Sequence, residues 1–260
     1  YPLRRQRQMC IRDSPRQTSR TYLSIQWAEM VADILEEKKC LGGRIGVDIW
    51  PSTISPDLTG RLLQTTLFDA SNLLREMRLI KCREELNLIR KCGEISDLGQ
   101  KILTNEIQVG KTQLEIGTEA LKAMKLEAAL KYPDEAIEIL AAVMGSGPVF
   151  GAIPQSTRGT GRRIEESDSL IDVTLVRMNA YGVENERTFM VGKPTEKQER
   201  VFNTMVRAQE EALKAQTAGN KLSNVDAAAQ KIIENAGYGN YIMHRSYHGI
   251  GLGVHEYPYN

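Results

Sequence analysis

Histidine is scarce in this chain. There are three in 260 residues, His244, His248 and His255, and all three lie in the last seventeen positions. Cysteine is also sparse, at positions 10, 40, 82 and 92, with no Cys-x-x-Cys pair and none near the histidines. That excludes a zinc–thiolate site and fits a reduced, cytoplasmic setting. Charge of one sign is lacking too. The formal net charge is +1, so no global field argues for nucleic acid as a partner. No apolar run approaches the roughly 18 residues that a bilayer span needs, which argues against a membrane partner. The first twenty residues lack any hydrophobic pattern. They carry six arginines and one aspartate and read as a non-native tail, set aside from the fold.

What is present is a helix and strand pattern of ordinary globular composition, 41% hydrophobic and 26% charged. Ile25, Met30, Val31, Ile34 and Leu35 recur at helical spacing up to Glu37, and Gly42-Gly43 stop that helix. Residues 44–50 predict a short strand, Ser55-Pro56 a helix start and 66–70 a second strand. Leu86, Ile89, Ile95, Leu98 and Ile102 predict a long helix from Glu84. Thr112-Gln113-Leu114-Glu115 is a capping box for the next helix, which runs to about Lys131.

A β-rich region follows, through 140–144 and 151–155. Residues 169–176, a turn near Asn179 and the return through Val183 to Gly192 predict a β-hairpin. Thr195 caps a third helix of the second half, Ser223-Asn224-Val225-Asp226 caps a fourth, and Gly237 closes it. The element order is helix, helix, β, repeated once.

The last stretch is the most specific. In His248-Gly249-Ile250-Gly251-Leu252-Gly253-Val254-His255-Glu256 the glycines alternate with aliphatic residues, as where a backbone or ligand comes close. This run, with His244-Arg245 before it and Pro258-Tyr259 after it, resembles the histidine segment of the pita-bread family. That family holds methionine aminopeptidase, aminopeptidase P, prolidase and the metal-free creatinase, and the Xaa-Pro peptidase branch is the most similar. Arg78-Leu79-Ile80-Lys81 before the long helix resembles the family's domain junction. Asp172-Val173-Thr174 and Glu184-Asn185-Glu186-Arg187-Thr188-Phe189 resemble its two metal-binding strands.

The resemblance implies an α+β pita-bread fold, two αα-β units around a curved antiparallel sheet, over residues 79–260. Residues 21–78 would be the remnant of an α/β N-terminal domain. It implies two divalent ions (Mn, Co or Zn) held in part by His248, Glu184 and Asp172, with His255 contacting substrate. The family's two glutamate ligands lie on strands beyond Asn260, so the chain is expected to be a fragment, inactive by itself, from a protein that dimerises when whole.

The acidic strands depart from the family pattern. The family's two aspartates stand eleven residues apart, and eleven back from Glu184 is Val173, not Asp172. Strand side chains alternate faces, so that slip turns Asp172 away unless a bulge restores it. Gln155 stands where the family often has a substrate-facing histidine, and Tyr247 where it has glycine.

The function implied first is a metallopeptidase-like hydrolase that uses metal-activated water on a peptide or small amide, as Xaa-Pro aminopeptidase and prolidase do. One alternative is a metal-free, creatinase-like C–N hydrolase, favoured by Glu186-Arg187-Thr188 and opposed by Gln155. The other is an inactive member of the fold that binds peptides or proteins.

Overall fold

The computed structural model describes residues 19–48, 56–62, 64–147, 159–243 and 245–259. The expectations for the first eighteen residues, for Ile49 and Trp50, for Ser55, for the strand at 151–155, for Gln155 and for His244 lie outside them. The chain divides into two compact units between Met77 and Arg78.

The first unit contains helix α1 (Ser19–Glu37), strand β1 (Arg44–Val47), helix α2 (Pro56–Arg61), strand β2 (Thr66–Asp69) and most of helix α3 (Ser71–Leu79). Strands β1 and β2 pair in parallel, Arg44 opposite Thr66 through Val47 opposite Asp69. A small core of Ala28, Leu58 and Leu62 ties α1 to α2. Pro56 heads α2, where its missing N–H costs nothing.

The second unit starts with helices α4 (Arg83–Glu106) and α5 (Gln113–Lys131). Thr112 and Glu115 form the expected capping box. The Thr112 hydroxyl accepts the Glu115 N–H at 3.1 Å, and Glu115 accepts the Thr112 N–H at 2.7 Å. Strands β3 (Ile137–Ser146), β4 (Ser169–Met178) and β5 (Tyr181–Met190) make one antiparallel sheet in chain order. The β4–β5 turn sits at Asn179 and Ala180, both with positive φ. Helix α6 (Glu196–Ala215) is capped by Thr195, and helix α7 (Leu222–Asn235) follows.

The start of α7 corrects the sequence expectation. Lys221 is its N-cap residue, with no side-chain cap. Asp226, expected to help cap the helix, is engaged elsewhere: its Oδ1 accepts the Ser246 N–H at 3.0 Å and its Oδ2 the Gln230 amide at 2.6 Å. Gly237, at φ +84, ends α7 as expected. Strands β6 (His248–Gly249) and β7 (Glu256–Tyr259) pair antiparallel.

The core of the second unit lies between α4, α5 and one face of the sheet. Ile95, Leu103, Ile116, Met124, Leu170, Val176 and Met178 are buried there. Each such side chain contributes about 1.5–3 kcal/mol by leaving water. Residues 170, 172, 174, 176 and 178 of β4 are all buried, as the period of two requires for a face under helices. Thr174 marks that face: its hydroxyl lies 2.8 Å from Ser96 Oγ of α4. Gly99 is required opposite it, because a Cβ there would run into Thr174 and the Met124 side chain.

Candidate metal centre

Three of the sequence-predicted residues converge. One ligand atom from each of Glu184, His248 and His255 lies within 4.8 Å of the other two. His255 Nε2 is 3.3 Å from Glu184 Oε2. The two imidazole rings sit 4.2 Å apart between centroids, tilted by 39°. Glu184 comes from β5, His248 from β6, and His255 from the bend before β7. His248 Nδ1 is 3.0 Å from the Gly249 carbonyl. A carbonyl only accepts, so Nδ1 is the donor in this contact and Nε2 is the atom left to face a metal. The ring is thus oriented by its own backbone.

The glycines explain how the two histidines meet. A Cβ on Gly249 would come within 2.5 Å of the Tyr257 carbonyl and 2.7 Å of the Glu256 carbonyl. The β6–β7 crossing therefore needs glycine at that point. The intervening loop is then pinned to the β4–β5 hairpin. The Gly182 N–H donates to the Gly251 carbonyl at 2.9 Å, and Arg177 donates to the Leu252 carbonyl at 3.0 Å.

Glu256 fastens the loop from the other side. Its Oε2 accepts the Gly253 N–H at 3.1 Å, and its Oε1 meets Lys81 Nζ at 2.6 Å. Both side chains of that pair are nearly buried, 12% and 11% exposed. Sequence reasoning gave neither residue a place at the site. The only signal was that both stand inside segments that carry the family resemblance. Nearby, Glu85 accepts the Tyr181 hydroxyl at 2.7 Å, which pushes the phenol up to about 12.

Asp172, expected as a metal ligand, does not join the cluster. It pairs with Arg187 across β4–β5, whereas Glu184 pairs with Leu175. Directly opposed residues share a face, so Leu175 and Glu184 lie on one side and Asp172 and Thr174 on the other. No bulge interrupts this register, so the slip inferred from the sequence stands. Asp172 is fully buried on the helix side. Its Oδ1 accepts the Arg187 N–H at 3.2 Å, and its Oδ2 has no hydrogen-bond partner. Burial pushes this carboxyl up to about 7, against the pull of the Arg187 N–H and the Arg187 charge. A carboxyl on the opposite face of the ribbon, buried against the helices, does not reach the cluster.

His255, expected to contact substrate, stands at the edge of the cluster. Its side chain is 41% exposed and its ring lies 4.2 Å from that of His248 between centroids. Two imidazoles and a carboxylate are a donor set for a borderline divalent ion such as zinc, and are equally found around other divalent transition metals. The residues present therefore fit one such cation.

Residues 87–260 match metallopeptidase family M24. The chain belongs to this family. The Xaa-Pro dipeptidase of Pyrococcus furiosus is 32% identical over 187 residues, which is 72% of this chain and 51% of that protein. The Xaa-Pro dipeptidase of Lactobacillus delbrueckii subsp. lactis is 29% identical over 191 residues. The chain spans about half the length of these curated M24 relatives. Among solved M24 structures, the prolidase from Pyrococcus furiosus superposes with a TM-score of 0.72 at 28% identity, covering 87% of this chain and 65% of that one. X-Pro aminopeptidase from Thermotoga maritima gives 0.76 at 22% identity, which speaks to fold alone. The fold is the α+β pita-bread fold of these proteins, and membership of a metallopeptidase family implies use of a divalent metal.

Proposed function

We propose that the protein is a metal-dependent dipeptidase-type hydrolase of family M24, acting on short peptides with proline after the scissile bond. The observation that carries this reading is the convergence of Glu184, His248 and His255. The names of the relatives, Xaa-Pro dipeptidase above all, supply the substrate class.

Glu184 and His248 would hold the cation from the sheet side. His255, 41% exposed, would complete the set from the solvent side and would be the donor best placed to meet a substrate. A divalent ion there would polarise the scissile carbonyl and make water a better nucleophile. Gly249 and the pinned loop keep the two imidazoles in register, so that the donors are arranged before any ligand arrives.

The metal-free C–N hydrolase is the second reading, and Asp172 favours it, because an acid expected at the centre is turned away. The two readings separate in one assay. Purified protein, stripped with a chelator and reloaded with Mn²⁺, Co²⁺ or Zn²⁺, is given Ala-Pro, Ala-Ala and a panel of small amides and guanidino compounds. Release of proline only after reloading supports the proposal. Turnover of a small amide that persists in the chelator supports the metal-free reading instead.

A further inference from the structure

Two polar contacts run from the start of α4 to the two strands that flank the site. Lys81 Nζ meets Glu256 Oε1 at 2.6 Å, with both side chains nearly buried. Glu256 opens β7 and follows His255 directly in the chain. In the first turn of α4, Glu85 accepts the Tyr181 hydroxyl at 2.7 Å through one oxygen and the Cys82 N–H at 2.6 Å through the other. Tyr181 opens β5, the strand that carries Glu184. One short stretch of chain therefore holds the neighbours of both His255 and Glu184.

Gly251 belongs to the same arrangement. A Cβ there would come within 2.3 Å of Glu256 Oε1 and 2.9 Å of Lys81 Cε, so a side chain at 251 would drive the pair apart. The Gly251 carbonyl accepts the Gly182 N–H at 2.9 Å, next to Tyr181 in β5. At this one residue the histidine loop touches the ion pair and is bonded to the hairpin.

Charge makes the contact stiff. A charged group withdrawn from water is stable only while it stays with its partner. Glu256 is fixed at both oxygens, Oε1 by Lys81 and Oε2 by the Gly253 N–H. His255, the residue before it, is 41% exposed, and its Nε2 lies 3.3 Å from Glu184 Oε2. A ring so exposed takes its place from its backbone more than from packing.

We propose that Lys81 is a positioning residue of this site: its ion pair with Glu256, admitted by Gly251, holds His255 at the Glu184 carboxylate. Lys81 acts through Glu256 and is not itself a ligand. The effect on metal affinity rests on the metal-dependent reading above, and the effect on the loop does not.

The test compares two variants. Lys81→Met combined with Glu256→Gln removes both charges, leaves no orphaned carboxylate and keeps an acceptor for the Gly253 N–H. Leu170→Ala loosens the packed core and leaves the pair alone. Hydrogen exchange of the metal-free protein, read by mass spectrometry, is expected to be roughly tenfold faster over residues 248–256 in the double variant, with α4 and α5 unchanged. In Leu170→Ala the acceleration should fall on the core instead. Calorimetric titration with Zn²⁺ should show affinity lowered about 10–100-fold in the double variant and little in Leu170→Ala. Unchanged loop exchange in the double variant would overturn the positioning role, whatever the metal result. Faster loop exchange with unchanged affinity would overturn it as well. Faster loop exchange in a protein that binds no ion even when unaltered would overturn the metal-dependent reading and leave the hold on the loop standing. If the double variant does not fold, Gly251→Ala keeps both charges and forces them apart. It should give the same two changes, and a loop and affinity like those of the unaltered protein would overturn the part given to the pair.

Discussion

The two faces of the β4–β5 ribbon are built from alternating residues of the same strands, yet they do opposite things. The helix-facing side carries Leu170, Asp172, Thr174, Val176 and Met178, all buried. The other side carries Val173 and Leu175 on β4 and Glu184 and Glu186 on β5, with the histidine loop brought to Glu184. The first face is closed by packing and sets stability. The second carries the carboxylate of the candidate metal cluster. The family's metal strands are read by side-chain parity, so one residue of register decides whether an acid serves the core or the site.

The largest expected effect breaks the packed face alone. Leu170→Ala removes a fully buried side chain and should cost about 2–5 kcal/mol of stability. Denaturant melts would record that loss, while metal stoichiometry per folded molecule stays unchanged. A parallel loss of metal binding would mean that the two faces are not separable.

Next comes Asp172, the polar residue that burial penalises. Its folded carboxyl is raised from 3.8 to about 7. The folded state therefore binds the proton more tightly, so stability is greatest below the unfolded value, near 4. It declines as pH rises to about 7 and stays reduced above that. The loss is at most about 4 kcal/mol from the size of the rise, and relaxation around the carboxylate reduces it. Asp172→Asn keeps an acceptor for the Arg187 N–H and should flatten stability between pH 4 and 7, as read by urea melts across that range. A stability that rises over those pH values in the unaltered protein, and does so less in the variant, would contradict the assignment.

The face with the cluster should respond to Glu184→Gln, which keeps shape and removes charge. A loss of about 100-fold in metal affinity, roughly 2.7 kcal/mol, is expected with an unchanged melt of the metal-free protein. The smallest effect belongs to neither face. Lys131 and Glu94 pair at 2.5 Å on the outside of α4 and α5, both about half exposed. Lys131→Ala should move neither the melt nor the metal affinity, since exposed pairs contribute little.

Much of the fold was legible because its signals are local. Thr112 and Thr195 announce their helices through hydrogen bonds made within four residues, and the Asn179 turn follows from the two strands it joins. The α7 cap was misread because Asp226 answers to Ser246, twenty residues on, and no local pattern carries that. At the site, His248, His255 and Glu184 were legible through the family likeness. The orientation of Asp172 followed from counting, and the absence of a bulge agrees with the count. Lys81 and Glu256 were not, since a lysine and a glutamate far apart in the chain look like any surface pair until packing removes them from water.

That ion pair has a consequence in time. Lys81 and Glu256 are 175 residues apart, so they close almost the whole second unit into one loop. Contacts of such separation form only after the intervening chain has been ordered, because the entropy of closing the loop must be met first. The helices and the β4–β5 ribbon can assemble from neighbouring segments, but the histidine loop is clamped only when the first and last parts of the unit meet. Competence to bind the ion should therefore lag behind secondary structure during refolding. Stopped-flow circular dichroism run beside a Zn²⁺-sensitive dye would time the two events, and simultaneous appearance would show that the loop finds its place without the clamp.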